Sequence, residues 1–207
     1  ARNTLARLLP RESISKEVDS ALLSIIGFPA FAVGDKKLVK KTRDKIINEL
    51  GGNYGCKRFL WDGHQTAVED HSRIHYEHNE LTNFKDIESE WPLFFTYLYI
   101  QALYDGDEQQ AQHYRSQIEA IMVEQDGKML IPELYYLEKE HVAAEKENPH
   151  SQPRSPNENL PLVWAQSLFY TGFMIDEGLI ELDDLDPCKL RFRSTSLNKT
   201  QIAVVVL

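Results

Sequence analysis

The sequence predicts an all-α protein whose helical hairpins lie in concentric layers, the arrangement of an α/α toroid. The first observation behind this prediction is that helical segments apolar almost all the way round alternate with amphipathic segments. The second is that some segments are joined by short turns and others by long loops rich in charged and aromatic side chains. Long loops in compact domains are uncommon and are usually functional. We therefore expect buried inner helices, half-exposed outer helices, and long loops that meet at one end of the inner layer.

Two helices are predicted before the first long loop. The first spans residues 15–26, has a broad apolar face and ends at residues 27–29, which read Gly-Phe-Pro. The second begins after Asp35, a residue type that caps helix N-termini, and ends at Gly51. Its apolar residues form one stripe and its other side is charged, so we expect it in the outer layer.

A helical hairpin is predicted after that loop. Its first helix spans residues 88–104 and is apolar on nearly all sides, which is typical of a buried helix. Glu88 and Glu90 would lie near its N-terminus, where the helix dipole favours acidic side chains. A turn at residues 105–107 then leads into an amphipathic helix over residues 108–123.

The last part of the chain combines a polar segment with a further helix. Residues 138–159, here the polar loop, are rich in Glu, Asn, Pro and Ser, with a short helix predicted near His141. Such a composition buries little surface, so we expect the polar loop to order only against a protein partner, with a solvated connector as the alternative. A mostly apolar helix over residues 161–177 is predicted to lie inside.

The chain ends predict part of a longer protein. The 207 residues begin without Met and stop on an apolar run. We expect the helical domain to span residues 1–192. Residues 193–207 would form a linker and the first β-strand of a following domain, with that strand at residues 201–207.

Composition excludes several kinds of partner and compartment. With 32 acidic and 23 basic side chains the net charge is -9, and no stretch gathers the basic residues of a nucleic-acid site. Cys56 and Cys188 are far apart and outside any CxxC pattern, which favours a reducing compartment such as the cytoplasm. The apolar run at residues 91–104 is shorter than the roughly 20 residues of a membrane-spanning helix.

Chemistry is concentrated in residues 51–91, here the site loop, which shows no helical or strand period over about forty residues. Its aromatic residues are Tyr54, Phe59, Trp61, Tyr76, Phe84 and Trp91, and they alternate with Arg, Lys, His, Asp and Glu. Aromatic rings cover the apolar faces of a pyranose, and forked donors and carboxylates bind its hydroxyls. A sugar-binding cleft and an ordered surface loop both fit this pattern.

A zinc site is the other chemistry considered for the site loop. His71, His75 and His78 fall at helical spacing. No apolar stripe supports a helix there, so a solvated loop is favoured and we expect no metal.

The predicted layers would bring side chains from several long loops into one cleft. These are Arg58, Asp62, Glu90, Glu133 and Trp164. Glu133 follows an apolar run at residues 130–132 that would fix it near the core. A helix cap or ion-pair partner is the alternative role for it.

Several segments, in one order along the chain, closely resemble the regulatory subunits of phosphorylase kinase. They are KRFLWDGHQTAVED (57–70), IESEWPLFFTYL (87–98), IPELYY (131–136), ENPHS (147–151) and LPLVWAQSLFY (160–170). The opening LLPRESISKEVDSALLSIIGFPAFAV (8–33) resembles the alpha more than the beta subunit. The resemblance extends from Leu8 to about Phe192.

That family resembles in turn the glucoamylase-type glycoside hydrolases, which implies an (α/α)6 barrel with this chain as its later half. The hydrolases hold the non-reducing sugar with an Arg and an Asp four residues later, and Arg58 and Asp62 match that spacing. Glu133, between Pro132 and Leu134, matches the general base, although Leu134 replaces a Gln. The resemblance implies further substrate contacts from His64, Glu90, Trp91 and Trp164.

An inverting hydrolase also needs a general acid, about 6.5–9.5 Å from the base. The resemblance implies that this acid precedes Ala1, so the chain alone would not hydrolyse a glycoside by that mechanism.

The resemblance therefore implies a regulatory and scaffolding subunit in glycogen metabolism, with a glucoamylase-like domain that binds glucan ends. Implied partners are a kinase catalytic subunit, a beta-type regulatory subunit and calmodulin, with no cofactor and no nucleic acid. The implied location is the cytoplasm, or the cytoplasmic face of the plasma membrane through prenylation outside this sequence. The alternative is an active inverting glucan hydrolase.

Overall fold

The computed structural model describes residues 2–13 and 16–192. The chain is mostly helical, which confirms the predicted class, and the described residues also contain two short two-stranded sheets. The predicted strand at residues 201–207 and its linker lie outside the described residues. The complete toroid stays a prediction.

The elements follow one another in this order. The helices are α1 (Arg2–Leu8), α2 (Leu22–Ile26), α3 (Lys36–Leu50), α4 (Leu93–Asp105), α5 (Glu108–Ala120), α6 (Val142–Glu147), α7 (Val163–Asp176) and α8 (Leu182–Leu185). The strands are β1 (Val123–Gln125), β2 (Lys128–Leu130), β3 (Tyr135–Tyr136) and β4 (Ser155–Pro156). Single 3₁₀ turns lie at Leu81–Phe84 and Lys139–His141.

Helix α4 is the centre of the core, as its composition predicts. Nine of its 13 residues are buried, including Tyr99 and Ile100, which are fully enclosed. It packs against α5 on one side and α7 on another. On α7, Gly172 lets the two helices approach closely, because a Cβ there would lie 2.6 Å from the Tyr99 ring. The buried and amphipathic helices therefore pair as predicted for α4 and α5.

Helix α7 differs from its prediction. Ala165, Phe169 and Gly172 face α4 and are buried, whereas Trp164 and Tyr170 are more than half exposed. The prediction that α7 is buried on most sides is wrong in the described part of the chain, because the described residues cover only the side of α7 that faces α4.

The helix predicted over residues 15–26 is wrong in its first half, since only α2 is helical. Ser20 is drawn away from a helical path: its N–H donates to the Arg58 carbonyl at 2.8 Å and its hydroxyl to the Lys57 carbonyl at 2.6 Å. Short polar side chains often compete in this way with helical hydrogen bonding. The segment before α2 therefore anchors the site loop.

The helix predicted from residue 88 begins only at Leu93, after Pro92. The preceding residues are extended, and Glu90 and Trp91 form isolated β-bridges with Tyr135 and Cys56 respectively. Glu88 and Glu90 are consequently buried in ion pairs and do not lie at a helix terminus.

Helix α5 ends at Ala120, three residues before the predicted end at residue 123. A hairpin of β1 and β2, which was not predicted, follows it. Asp126 and Gly127 form its turn, with φ of 52° and 71°. Positive φ at both positions is the type I′ geometry that hairpins prefer.

The polar loop is ordered by its own chain. It contains α6, which confirms the short helix near His141, and its strand β4 pairs with β3. Glu145 and Arg154 are buried within it. The expectation that it orders only against a partner is therefore wrong.

Crossing a membrane requires a helix that is both long and apolar. No helix in the described part of the chain meets both requirements.

Candidate functional site

Two segments meet at the candidate site: the turn at residues 57–62 and the extended residues 88–91. The N–H of Trp91 donates to the Cys56 carbonyl at 2.8 Å, and the N–H of Cys56 donates back at 3.3 Å. This pairing places the turn beside Trp91, even though the two are more than thirty positions apart in the sequence.

Arg58 and Asp62 form a bidentate pair, here the Arg58–Asp62 fork. The Arg58 Nε donates to Asp62 Oδ2 at 2.5 Å and Nη2 donates to Oδ1 at 2.8 Å. Asp62 is buried, whereas the Arg58 side chain is 33% exposed and its guanidinium lies 5.0 Å from the Trp91 ring. A forked pair of this kind fixes the guanidinium plane. Arg58 therefore presents oriented donors at a half-open surface.

Two aromatic rings extend this surface. The His64 ring stacks on Trp91 with centroids 6.1 Å apart. The backbone N–H of His64 donates to Asp62 Oδ1 at 3.2 Å. Trp91 is 9% exposed, and its indole Nε1 has no hydrogen-bond partner among the described residues. A buried donor without a partner is costly. The indole N–H is therefore an enclosed donor that lies beside the His64 ring without a partner among the described residues.

Glu133 reaches the same region through an amide. Its Oε2 accepts from Asn157 Nδ2 at 2.8 Å, and that amide lies 3.3 Å from Gln65 Oε1, next to His64. The Glu133 N–H also donates to the Asn159 carbonyl at 3.0 Å. Glu133 is half-buried and one amide away from the site loop. Its role as a general base stays a prediction.

Leu134, at the position where the hydrolase pattern has a Gln, is fully buried. Its side chain belongs to the same apolar cluster as Ile131 and Tyr135. A side chain enclosed in the core cannot contact a sugar, so this position supplies no polar group to the site.

The structure does not bring the Glu90 carboxylate to the side of the Arg58–Asp62 fork. It is 1% exposed; its Oε2 accepts from the Tyr54 N–H at 2.8 Å and its Oε1 lies 3.1 Å from Arg154 Nε. Gly52 packs so closely that a Cβ there would lie 2.1 Å from the carboxylate. Its contacts show an ion-pairing role, and its predicted sugar contact stays a prediction.

Trp164 lies in the first turn of α7 and is 56% exposed. Its ring contact in the described part of the chain is with Tyr97, which it meets edge-on with centroids 6.2 Å apart, and not with the Arg58–Asp62 fork. Burial raises the pKa of Tyr97 above its usual value. The start of α7 is nevertheless fixed beside the Glu133 segment, because the Leu162 N–H donates to the Ile131 carbonyl at 2.8 Å.

The residues missed by the sequence analysis lie behind the site. Glu88 Oε1 accepts from the Trp61 N–H at 2.9 Å, and Glu88 Oε2 lies 3.0 Å from Lys57 Nζ. Arg154, from the polar loop, contacts both Glu90 and the carbonyl of Glu88. Partners so distant in sequence leave no local spacing signal; only the Glu88/Glu90 alternation marks one face of an extended segment.

An open cavity of about 670 Å³ lies beside His64 and Gln65 of the site loop. Residues 64–71 form one wall and residues 136–139 another, so the cavity lies between the site loop and the start of the polar loop. Its lining is about equally polar and apolar and includes His64, Gln65 and Leu137.

The three histidines considered for zinc do not converge. Across residues 2–13 and 16–192, no three His, Cys, Asp or Glu side chains are placed to hold a metal ion. The side chains of His71 and His75 are largely exposed, and His78 packs edge-on against Trp61.

The sequence that forms this helical core and site was compared with known protein families. The family model of the glycosyl hydrolases family 15 matches residues 15–201, and the chain belongs to that family. 

Comparison with individual relatives is more specific. The chain is 44% identical, over all 207 residues, to the phosphorylase b kinase regulatory subunit alpha, skeletal muscle isoform, of Oryctolagus cuniculus, of which it covers 17%. It is 47% identical over 188 residues to the probable phosphorylase b kinase regulatory subunit alpha of Caenorhabditis elegans, covering 90% of this chain and 15% of that one. It is 44% identical over 204 residues to the probable phosphorylase b kinase regulatory subunit alpha of Drosophila melanogaster, covering 98% of this chain and 16% of that one. The chain thus spans less than a fifth of these relatives.

Proposed function

We propose that this chain is a glucoamylase-like domain of a phosphorylase kinase regulatory subunit, and that in this domain the site binds the ends of glucan chains. The observation that carries the proposal is the identity of 44–47% with relatives of that name over nine-tenths or more of the chain. The whole protein would then act as a regulatory and scaffolding subunit in glycogen metabolism.

Sugar binding is supported by the geometry around Trp91. The Arg58 guanidinium, held by Asp62 and about one-third exposed, lies beside the rings of Trp91 and His64. Guanidinium groups donate to hydroxyls, and ring faces pack on the apolar faces of a pyranose. This combination suits a terminal glucose unit.

Binding without turnover is the form of the proposal that fits residues 133–134. The Glu133 carboxylate is engaged by the Asn157 amide, and Leu134 is enclosed in the core. Inverting hydrolysis further needs a second carboxyl about 6.5–9.5 Å from the base. The rival function, an active inverting glucan hydrolase, requires that residue from elsewhere in the longer protein.

The same proposal supplies partners and a location. By resemblance, the longer protein assembles with a kinase catalytic subunit, a beta-type regulatory subunit and calmodulin in the cytoplasm, and a prenyl group outside this chain attaches it to the membrane. The relatives' names support the partners, and the free thiols of Cys56 and Cys188 support a reducing compartment.

Calorimetric titration of the full-length chain with maltotriose tests sugar binding. We expect saturable binding, weakened about tenfold or more in Arg58→Ala, because a hydrogen bond to a charged group contributes about 1.5–3 kcal/mol. Arg73→Ala is the matched control, since Arg73 also makes a bidentate pair, with Glu80 at 2.7 and 2.8 Å, and has no contact with Trp91.

Absence of saturable binding by the unmodified protein, or an equal loss in both variants, would overturn the sugar-binding proposal. Glucose release from maltotriose that disappears in Glu133→Gln would favour the hydrolase.

A further inference from the structure

The polar loop is joined to the candidate site by one buried arginine. Arg154 has a side chain only 2% exposed, and it contacts three oxygen atoms, two through hydrogen bonds and one through an ion pair. Its Nη1 donates to the Glu88 carbonyl at 2.6 Å, its Nε lies 3.1 Å from Glu90 Oε1, and its Nη2 donates to Glu145 Oε1 at 3.3 Å. The arginine therefore fixes the extended residues 88–91 to the polar loop.

Glu88 passes this constraint to the turn that carries the Arg58–Asp62 fork. One carboxylate oxygen accepts from the Trp61 N–H and the other contacts Lys57 Nζ, so Glu88 holds both ends of the turn. Trp61 has a φ of 63°, in the left-handed region that non-glycine residues rarely adopt. A backbone in this conformation persists only where its surroundings hold it. The fork geometry thus depends on Glu88.

The exposed end of the polar loop is tied to the same arginine. The Glu145 carboxylate accepts from the His150 N–H at 2.9 Å and the Gln152 N–H at 3.0 Å, which shapes residues 148–152. Those residues are mostly exposed, whereas Glu145 is fully buried beside Arg154. A displacement of the exposed residues would therefore reach Arg154 through Glu145.

The extended residues 88–91 have two faces: one is held by buried ion pairs and the other belongs to the candidate site. Glu88 and Glu90 face Arg154 and Lys57, whereas Ser89 donates to the Gln65 carbonyl at 3.1 Å and Trp91 stacks on His64. Alternate residues of an extended segment point to opposite sides. Because both faces belong to one short segment, movement of the face with Glu88 and Glu90 would also move the face with Ser89 and Trp91.

We propose that Arg154 is a positioning residue of the sugar site: acting through Glu88, it sets the Arg58–Asp62 fork and couples that fork to the exposed end of the polar loop. A protein contact at residues 148–152 would then change sugar affinity, and sugar would change the affinity for that contact by the same factor. The sugar part rests on the proposed function, and the coupling between Arg154 and the turn does not.

The test combines hydrogen exchange and titration on the full-length chain carrying Arg154→Gln or Arg154→Lys. We expect backbone exchange at residues 57–62 to rise about tenfold, because the Trp61 N–H loses its fixed acceptor, and maltotriose to bind about tenfold more weakly. Lys retains the charge, but one ammonium cannot reach three separate acceptors. It also serves if the Gln variant does not fold.

Arg115→Gln is the matched control. Arg115 likewise contacts three carboxylates, those of Glu119, Asp176 and Glu177, and it has no contact with the site loop. We expect this variant to leave exchange at residues 57–62 and maltotriose affinity unchanged.

The outcomes separate the two claims. Unchanged exchange at residues 57–62 in a folded Arg154→Lys protein, or an equal rise in Arg115→Gln, overturns the coupling. Raised exchange in a protein that never binds maltotriose upholds the coupling and overturns the sugar-binding part of the proposed function. Raised exchange with unaltered maltotriose affinity overturns the positioning role.

Discussion

At the scale of single residues, the sequence reveals contacts between close neighbours and hides those between distant ones. The pairing of Arg58 with Asp62 is visible as a four-residue spacing, and the structure shows that pair. The predicted layers of helices place Glu90 in the cleft, yet its carboxylate pairs with Arg154, 64 positions away in the chain. Nothing local to Glu90 distinguishes a carboxylate that meets a sugar from one that meets a buried arginine. 

Leu134 gives a prediction at this scale. Restoring the polar residue of the hydrolase pattern, in Leu134→Gln, should lower the free energy of unfolding by about 3 kcal/mol, because it removes apolar contacts and buries an amide with unsatisfied groups. It should not raise glucose release. Urea unfolding followed by tryptophan fluorescence, with glucose release assayed in parallel, checks both.

Leu134→Met is the control, since a swap of similar volume costs under about 1.5 kcal/mol. An active and stable Leu134→Gln protein would contradict the enclosed position of this side chain.

At the scale of elements, long helices were predictable and short extended segments were not. The period of α3 and the composition of α4 and α5 indicate both their existence and their burial. Residues 16–21 and 88–91 instead depend on bridges to Phe59, Cys56 and Tyr135, which no local period encodes. The β1–β2 hairpin did have a signal, the Asp-Gly pair at its turn, which lies just after the predicted helix and from which no hairpin was predicted.

The N-terminus of α3 offers a prediction for an element. Asp35 accepts from the N–H groups of Lys37 and Leu38 at 2.9 and 3.2 Å. Asp35→Ala should therefore cost about 1 kcal/mol of stability. Asp44→Ala on the same helix removes only an exposed pair with Lys40 and should cost less than about 0.5 kcal/mol. Equal unfolding midpoints in urea for the two variants would refute the capping role.

At the scale of the whole molecule, the fold class was predictable because composition alone distinguishes inner from outer helices. The position of α7 was not, since Trp164 and Tyr170 remain on a side that the described residues leave uncovered. The toroid predicted from the sequence would cover that side with further helices. The chain spans less than a fifth of its relatives, so the function proposed here belongs to a longer protein.

The measurement that tests the central claim most directly is purification of the tagged full-length protein from its own cells, followed by assays of kinase activity, maltotriose binding and glucose release on the same sample. We predict that it copurifies with a kinase catalytic subunit, that the sample phosphorylates glycogen phosphorylase, and that it binds maltotriose without releasing glucose. A protein that purifies without kinase activity and releases glucose from maltotriose, with the release lost in Glu133→Gln, would contradict the account.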